Sequence, residues 1–314
     1  MNDCGSSAVG VVLAHRSGHG DLARSIAAIK RQLLPDDRLI VVIDHPANAS
    51  AEHDLTENTV VVTGALVPEL WSKGIELLET NRVALTSSVV LVADGWVETV
   101  RRGDLNWVAA GGTIGSALLE TPVDRAVYLT RFARHSPRHS SGRDASSAEQ
   151  SEPFPHSDLA ADNAWYDRAA LLAVADSYED GFWEPFVHDR ITLNNGLLVR
   201  DPSLTAEMMP NISLVKAMRQ RLEHGRRHGR RWAEEQSTVR VLLGLASTPM
   251  VPFVMVRRAR ATPTAIRPTV GVTLLSFVLF GCWAIGEFLG RIMILAQHRV
   301  GSRRALSFGA ETSG

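Results

Sequence analysis

The sequence predicts an α/β fold in which a mostly parallel sheet is flanked by helices and is followed by an apolar helical region. Short runs with the character of buried strands alternate with segments of helical periodicity through the first half of the 314-residue chain. This alternation is typical of parallel sheets that are covered on both faces. Two long apolar segments close the chain and predict the helical C-terminal region.

Four runs rich in Val, Ile and Leu are predicted to be strands of this sheet: residues 9–14, 39–43, 59–63 and 83–85. A helix is predicted after the first strand, where apolar residues recur at helical spacing from Leu22 to Leu33. Residues 71–78 and 161–175 are also predicted to be helical. Because ligands of such sheets bind at the carboxyl ends of the strands, a site is expected in the loops that start at His15, Asp44 and Thr86.

The composition argues against several classes of protein. The formal net charge is −1, which gives the whole molecule no strong attraction to nucleic acid, and no nucleic-acid partner is expected. The two cysteines and the histidines match no metal-site spacing. The first apolar run is short and lacks a basic leader, so we expect the large N-terminal domain to be cytoplasmic.

The C-terminal third is predicted to associate with the cell membrane. Residues 270–296 are long enough for a span, whereas residues 239–256 are marginal and carry Pro249 and Pro252. Glu287 and Arg291 are four apart on the predicted helix and are expected to pair. Basic clusters flank both segments, and residues 226–231 form a basic patch suited to anionic lipid. Because these clusters favour the cytoplasmic side, interfacial or re-entrant segments or a hairpin are predicted rather than two simple spans.

Several short motifs occur in a particular order along the chain. They are residues 11–16, 39–44, 71–75, 118–137, 162–168, 181–184 and 286–290. In this order they resemble the motifs of family 2 glycosyltransferases of the GT-A fold, and the last resembles a Gly-Glu-x-x-Gly element of membrane-bound members. The implied organisation is a GT-A domain at 1–215, a basic juxtamembrane helix at 216–237 and a membrane-associated region at 238–314.

The resemblance implies a hexosyltransferase-type enzyme. It would move a sugar from a nucleotide-sugar donor to a glycan or lipid-linked acceptor near the membrane, with inversion. The implied donor-side residues are His15, Arg16, Asp44, Lys73, Thr86 and Ser88. The implied acceptor-side residues are Asp162, Asn163, Trp183 and Arg190. Glu184 corresponds to the catalytic base, because it stands six residues before Arg190, and Asp189 and Asp162 are the fallbacks.

The family's Asp-x-Asp metal motif is degenerate in this chain. Thr86, Ser87 and Ser88 occupy its place, and hydroxyls are weak ligands for hard cations. No metal ligand is therefore predicted, and Mg²⁺ or Mn²⁺ would be held weakly, through the donor diphosphate. Arg16 or Lys73 would neutralise the diphosphate instead. The alternative is a non-catalytic relative that serves as a binding or scaffold subunit.

The individual residues also have simpler interpretations, which the sequence leaves open. Glu184 has the alternative of being a surface glutamate, and Asp44 that of a turn or helix cap. Trp183 has the alternative of being a core residue.

Overall fold

A computed structural model describes residues 8–45, 58–137 and 152–311, with side chains to residue 297. The chain forms two compact units. The first comprises residues 1–212 together with Pro263–Arg267, and the second comprises residues 213–262 and 268–314.

The described part of the first unit is built on a nine-stranded mixed sheet. Its strands are β1 Val9–His15, β2 Arg38–Ile43, β3 Thr59–Val61, β4 Arg82–Ser87, β5 Val90–Val92, β6 Ala109–Gly115, β7 Phe154–Pro155, β8 Asn163–Asp167 and β9 Leu198–Met208. Their order is β3-β2-β1-β4-β8-β6-β9-β5, with β7 paired to β9. Strands β3, β2, β1 and β4 are mutually parallel, β8 is antiparallel to both neighbours, and β6 and β9 are parallel. The predicted α/β class is thus confirmed.

Helices cover both faces of this sheet. They are α1 Leu22–Lys30, α2 Val67–Glu76, α3 Trp96–Arg102, α4 Pro122–Arg131, α5 Arg168–Leu172 and α6 Glu184–Leu193. Two 3-10 turns follow α4 and α5, at Ala133–His135 and Ala175–Tyr178. One buried cluster joins the sheet to α2 and α6, and the other joins it to α1 and α3. Successive residues of β1 alternate between these clusters, as the two-residue period of a strand requires.

Helix α1 illustrates how the local sequence sets the boundaries. Asp21 caps it by accepting a hydrogen bond from the Arg24 amide at 2.9 Å. Leu22, Ile26 and Ile29 recur at helical spacing and are all buried against the sheet. The helix ends at Lys30, so the predicted continuation to Leu33 falls outside it.

The predicted helix over residues 161–175 is wrong in its first half. Residues 163–167 form β8, inserted antiparallel between β4 and β6, and only Arg168–Leu172 is helical. The reason is burial on both faces: Trp165 packs into one core cluster, whereas Ala164 and Tyr166 pack into the other. A strand that is apolar on both sides lacks the alternation that identifies a strand from sequence.

The second unit is helical. Its helices are α7 Leu214–Glu234, α8 Thr238–Ser247, α9 Val251–Ala261 and α10 Val270–Glu311. A 3-10 turn at Thr248–Met250, which contains Pro249, separates α8 from α9, as expected where proline interrupts a helix. By length and composition, two described stretches are sufficient to cross a membrane: Thr238–Ala261 and Val270–Gln297.

Glycines let α7 and α10 approach closely. A Cβ at Gly225 or Gly229 would overlap the backbone of α10 near Trp283 and Glu287, and one at Gly286 or Gly290 would overlap the backbone of α7. Each helix therefore presents two glycines four residues apart to its partner, an arrangement that permits dense packing of helix backbones. The Gly-Glu-x-x-Gly element is accounted for by this packing.

The predicted pair between Glu287 and Arg291 is confirmed, with Nη2 of the arginine 2.6 Å from the carboxylate. Arg291 also donates to the Gly244 carbonyl at 2.8 Å and stacks over the Trp232 ring at 4.5 Å. Both charged side chains are buried within the second unit. Protein groups therefore compensate these charges, which makes their position on an apolar helix energetically acceptable.

Candidate functional site

The carboxyl ends of the parallel strands lie level with one another. The register pairs Ala14 of β1 with Ser87 of β4, and His15 with Ile43 of β2. Asp162 directly precedes β8, whose first residue pairs with Thr86. The tips of β2, β1, β4 and β8 are therefore adjacent in this order and span about 14 Å at the usual spacing of about 4.8 Å per strand.

A hydrogen-bond network joins the tips of β1 and β4. The Ser88 hydroxyl donates to the His19 carbonyl at 2.9 Å and lies 2.7 Å from Nδ1 of His15. Since the hydroxyl has a single hydrogen, Nδ1 of His15 is assigned as the donor in the second bond, which leaves Nε2 as an acceptor. Burial lowers the pKa of His15, against the opposing effects of Asp44 and Asp21. A neutral imidazole with an acceptor nitrogen thus stands at this edge.

Gly20 is required for this arrangement. Its φ is +71°, in the left-handed region, and a Cβ there would overlap the backbone carbonyl of Ser88. The Asp21 amide donates to the same Ser88 carbonyl at 3.0 Å. The loop after β1 is therefore held against the tip of β4.

Asp44 organises the loop from the other side. Its Oδ1 accepts hydrogen bonds from the Ser17 amide at 2.8 Å and from the Ser17 hydroxyl at 2.9 Å. Nε of Arg16 lies 3.8 Å from Oδ2 of the same carboxylate. The structure thus brings together His15, Arg16, Asp44 and Ser88, four of the six predicted donor-side residues.

The tip of β4 carries a carboxylate–guanidinium pair. Asp162 accepts a hydrogen bond from the Ser87 hydroxyl, and Nη2 of Arg131 donates to both of its oxygens, at 3.1 and 2.9 Å. The Arg131 guanidinium also lies 4.8 Å from the centre of the Phe132 ring. The side chains of Arg131 and Asp162 are 13% and 5% exposed, so the pair is largely shielded from water.

Glu184 begins α6 next to this pair. Its Oε1 accepts a hydrogen bond from the Ala161 amide at 2.9 Å. The residue keeps some exposed surface, although its carboxyl group is enclosed by protein. Burial, reinforced by Asp162, raises the pKa of Glu184 to about 8, while the Ala161 bond and Arg131 oppose the rise. The carboxyl group is therefore protonated at neutral pH and ionises just above it.

The helix that carries Glu184 is anchored one turn further on. His188 lies 2.9 Å from the Tyr166 hydroxyl through Nε2, and the two rings stack with centroids 5.9 Å apart. Both side chains are buried, and burial lowers the pKa of His188 to about 4. A neutral histidine thus fixes the start of α6 against the sheet.

The remaining predicted residues lie elsewhere or are enclosed. Lys73 is in the last turn of α2, which runs back toward the amino edge, and its Nζ bonds Glu76 at 2.7 Å. Thr86 is fully buried within β4. Asp189 and Arg190 are exposed on α6, and Arg190 lies 3.6 Å from Asp176.

Asn163 and Trp183 have structural contacts. The Asn163 amide donates to the carbonyls of Thr113 and Leu204 at 2.8 and 3.1 Å, and its oxygen accepts from the Trp96 indole at 2.6 Å. This fully buried side chain ties together β8, β6, β9 and α3. Trp183 is buried and directly precedes α6.

Arg131 and Ser87 are absent from the predicted site residues. Arg131 is one of several arginines between residues 118 and 137, and no motif distinguishes it from the others. A signal does exist in the periodicity of α4. Asp124, Tyr128 and Arg131 are separated by four and three residues, so they share one helix face, and Asp124 and Tyr128 are fully buried. Polar residues that recur on the buried face of a helix indicate that their side chains make specific hydrogen bonds or ion pairs inside the protein.

The residues at the β4 tip do not fit a divalent cation. Both oxygens of Asp162 are engaged by Arg131, and the Ser88 hydroxyl donates to a backbone carbonyl. Thr86 is enclosed in the sheet, and Glu184 holds its proton at neutral pH. Within the described ranges, no group of three or more His, Cys, Asp or Glu side chains has the geometry of a metal site.

A cavity of about 510 Å³ opens at the opposite edge of the sheet. It is lined by residues that precede or begin the strands, among them Ala8, Arg38, Asn58 and Asn81. Ligands of parallel sheets bind at the carboxyl edge, where the polar network described above is concentrated. We therefore assign the candidate site to the carboxyl edge.

Comparison with known proteins gives structural similarities only. No protein-family model matches the chain, and no curated protein matches it. Among solved structures of glycosyltransferases, it is similar to GalNAc-T7 with UDP, GalNAc and Mn²⁺, at 11% identity and a TM-score of 0.45, over 67% of this chain and 45% of that one. It is also similar to S. aureus TarS 1-349, at 11% identity and a TM-score of 0.43, over 71% and 64% of the two chains.

The chain thus spans about half to two thirds of the length of these two structures. Both similarities have TM-scores below 0.5. An assignment of function therefore has to come from the geometry of the chain itself.

Proposed function

We propose that the chain is a glycosyltransferase that moves a sugar from a nucleotide-sugar donor to a hydroxyl of a glycan or lipid-linked acceptor at a membrane, with inversion. The observation that carries the proposal is the position of Glu184. It is an enclosed carboxyl group with a pKa of about 8, beside the Arg131–Asp162 pair and level with a row of polar strand tips. The strand tips suit an extended ligand of about 14 Å whose nucleobase lies at Asp44.

The proposed reaction is a direct displacement. The acceptor oxygen attacks the anomeric carbon, the bond from that carbon to the diphosphate oxygen breaks, and the nucleoside diphosphate leaves with the bonding electrons. The ionised carboxylate of Glu184 takes the acceptor proton. A base with a pKa near the operating pH combines a sufficient ionised fraction with a strong affinity for the proton. A single displacement inverts the configuration at the anomeric carbon.

A second candidate is a non-catalytic binding or scaffold subunit. It is favoured by one observation, namely that the carboxylate at the β4 tip is paired with an arginine and does not fit a metal. Donor binding and turnover separate the two candidates, since a scaffold that has lost its donor site responds to no nucleotide sugar.

Nucleotide sugars are expected to stabilise the full chain with or without a metal. Thermal unfolding would be followed with a panel of UDP, GDP, dTDP and CDP sugars, in EDTA and in Mg²⁺. At a hundred times the dissociation constant, a bound donor adds about 2.7 kcal/mol, which raises Tm by several degrees. Asp44→Asn should abolish this response, because it disturbs the carboxylate that holds the loop after β1.

Arg190→Gln is the matched control for this experiment. It alters an exposed residue whose nearest charge, on Asp176, is 3.6 Å away, and it should leave the donor response unchanged. An unchanged Tm with every donor would reject the glycosyltransferase proposal.

Membrane attachment through the second unit is the other part of the proposal. Val270, Leu274, Val278 and Ile285 on α10 are 79%, 62%, 40% and 57% exposed to solvent. Exposed apolar side chains along one long helix favour burial in lipid, which the helix is long enough to cross. The basic patch at residues 226–231 suits anionic head groups.

Replacing Leu274 and Val278 together by glutamate is expected to release the full-length protein from membranes. Each charge within a lipid-embedded helix costs about 2.5–3.5 kcal/mol or more. The measurement is the fraction of protein that floats with anionic vesicles in a density gradient. Leu105→Glu is the control, because Leu105 is an 87% exposed residue of the first unit. Equal flotation of the double variant and the wild type would exclude α10 as the attachment site.

A further inference from the structure

We infer that Arg131 is the cation that binds the donor diphosphate and stabilises the charge of the leaving nucleoside diphosphate, in place of a divalent metal. The inference rests on the proposed function and names the group that its leaving-group chemistry requires. Sugar transfer from a nucleotide sugar leaves negative charge on the departing diphosphate. A positively charged group that donates hydrogen bonds is suited to stabilise this charge.

The first argument is position. Ser87 is the last residue of β4, and its hydroxyl donates to the same Asp162 carboxylate that binds Arg131. The next residue, Ser88, contacts His15 at the tip of β1. The guanidinium is therefore linked to the tip of β4 through a single carboxylate, and both members of the pair are among the charges that act on Glu184.

The second argument is unused hydrogen-bonding capacity. A guanidinium has five N–H donors, and in the part of the chain that the structure describes only Nη2 of Arg131 makes hydrogen bonds. The side chain is 13% exposed, so it is accessible to a ligand while most of its surface is shielded. A planar guanidinium with donors to spare suits bidentate recognition of phosphate oxygens, and shielding strengthens such contacts.

The third argument is preorganisation. Asp162 is buried and holds Nη2 through both oxygens, while the Phe132 ring lies beside the guanidinium. The Asp162 carboxylate therefore fixes the Arg131 guanidinium at the tip of β4. In this same region Thr86, Ser87 and Ser88 provide no carboxylate that could bind a metal. A cation held in advance loses little entropy on binding the ligand.

The test compares a nucleoside diphosphate with the monophosphate of the same base, both measured in EDTA by calorimetry on the full chain. Wild-type protein should bind the diphosphate more tightly. Arg131→Gln should lower the affinity for the diphosphate by about 10- to 100-fold, as loss of charged hydrogen bonds to phosphate does, and should leave the monophosphate affinity nearly unchanged. Chelation of metal should leave wild-type transfer unchanged.

Arg134→Gln is the matched control. Arg134 is three residues further along, is 58% exposed and pairs with Asp158 at 3.0 Å, so the variant removes the same charge from the same region. It should leave the diphosphate preference intact. If Arg131→Gln does not fold, Arg131→Lys keeps the charge and should still weaken diphosphate binding severalfold, because lysine lacks the planar fork.

The inference is overturned if Arg131→Gln retains the wild-type preference for diphosphate, or if EDTA abolishes that preference in the wild type. Failure of the proposed function looks different, because the wild type would then bind neither nucleotide. A purely structural role for the ion pair would lower Tm of the Arg131 variants without changing the ratio of the two affinities.

Discussion

Replacing Glu184 with glutamine is expected to lower the rate of sugar transfer by about 10²- to 10⁴-fold, the usual contribution of a general base. The amide cannot accept the acceptor proton, but its oxygen still accepts the Ala161 hydrogen bond that positions the side chain. Donor affinity should therefore stay within about twofold of the wild type. The measurement is transfer kinetics at saturating donor, together with donor binding by calorimetry.

The same substitution should stabilise the protein at alkaline pH. The pKa of Glu184 is raised from 4.5 to about 8 in the folded state, so the folded protein holds this proton more tightly than the unfolded chain does. The resulting stabilisation of the fold is fully present below pH 4.5 and is lost as the pH rises to 8. The cost of the ionised side chain above pH 8 is on the order of a few kcal/mol. Glutamine avoids this cost, and its Tm should exceed that of the wild type by several degrees at pH 9 and by little at pH 5.

Asp189→Asn is the control for both measurements. Asp189 is on the same helix, five residues further on, and is exposed, so neither transfer nor alkaline stability should change. If transfer is lost in Asp189→Asn and retained in Glu184→Gln, the fallback residue is the base, and the proposed role of Glu184 is wrong.

The first half of the sheet could be predicted because each of its strands carries its own signal. Residues 9–14 and 39–43 are short runs rich in Val, Leu and Ile and bounded by charged or turn residues, so their strand character and their carboxyl ends are visible in the sequence. The predicted residues at the ends of these strands, His15, Arg16 and Asp44, accordingly lie together. Parallel topology places such ends on one edge without further information.

The second half depends on tertiary contacts that the sequence does not display. β8 is a strand because β4 and β6 are available on either side of it, which local periodicity cannot report. Asn163 has a side chain of a type that often binds ligands, but in this fold its amide donates its hydrogen bonds to backbone carbonyls of the protein. The pairing of Arg131 with Asp162 joins residues 31 positions apart and has no local pattern.

Glu184 shows where the two kinds of information meet. The resemblance to family 2 glycosyltransferases singles out the residue through its spacing from Arg190, but only the fold supplies the property on which its proposed chemistry depends. Its carboxyl group is enclosed beside Asp162, and this raises its pKa toward the range of a base that works near neutral pH. Arg190, by contrast, is exposed and lies nearest to Asp176.

Asp162→Asn is expected to move the pH dependence of transfer to lower pH. In the wild type, kcat/KM should rise with pH up to about 8, because the proposed base has to be ionised. Asp162 is the strongest of the charges that raise the pKa of Glu184, second only to burial. Removing that charge, and leaving Arg131 without its partner, both favour the ionised form of Glu184, so the midpoint of the profile should fall.

The variant should also be less stable by about 1–3 kcal/mol, because a buried carboxylate that accepts bonds from Arg131 and Ser87 is lost. Asp158→Asn is the matched comparison, since Asp158 raises the pKa of Glu184 less than Asp162 does. Its profile should shift in the same direction by a smaller amount. A shift to higher pH in Asp162→Asn, or a larger shift in Asp158→Asn, would mean that the titrating group which controls transfer is not Glu184.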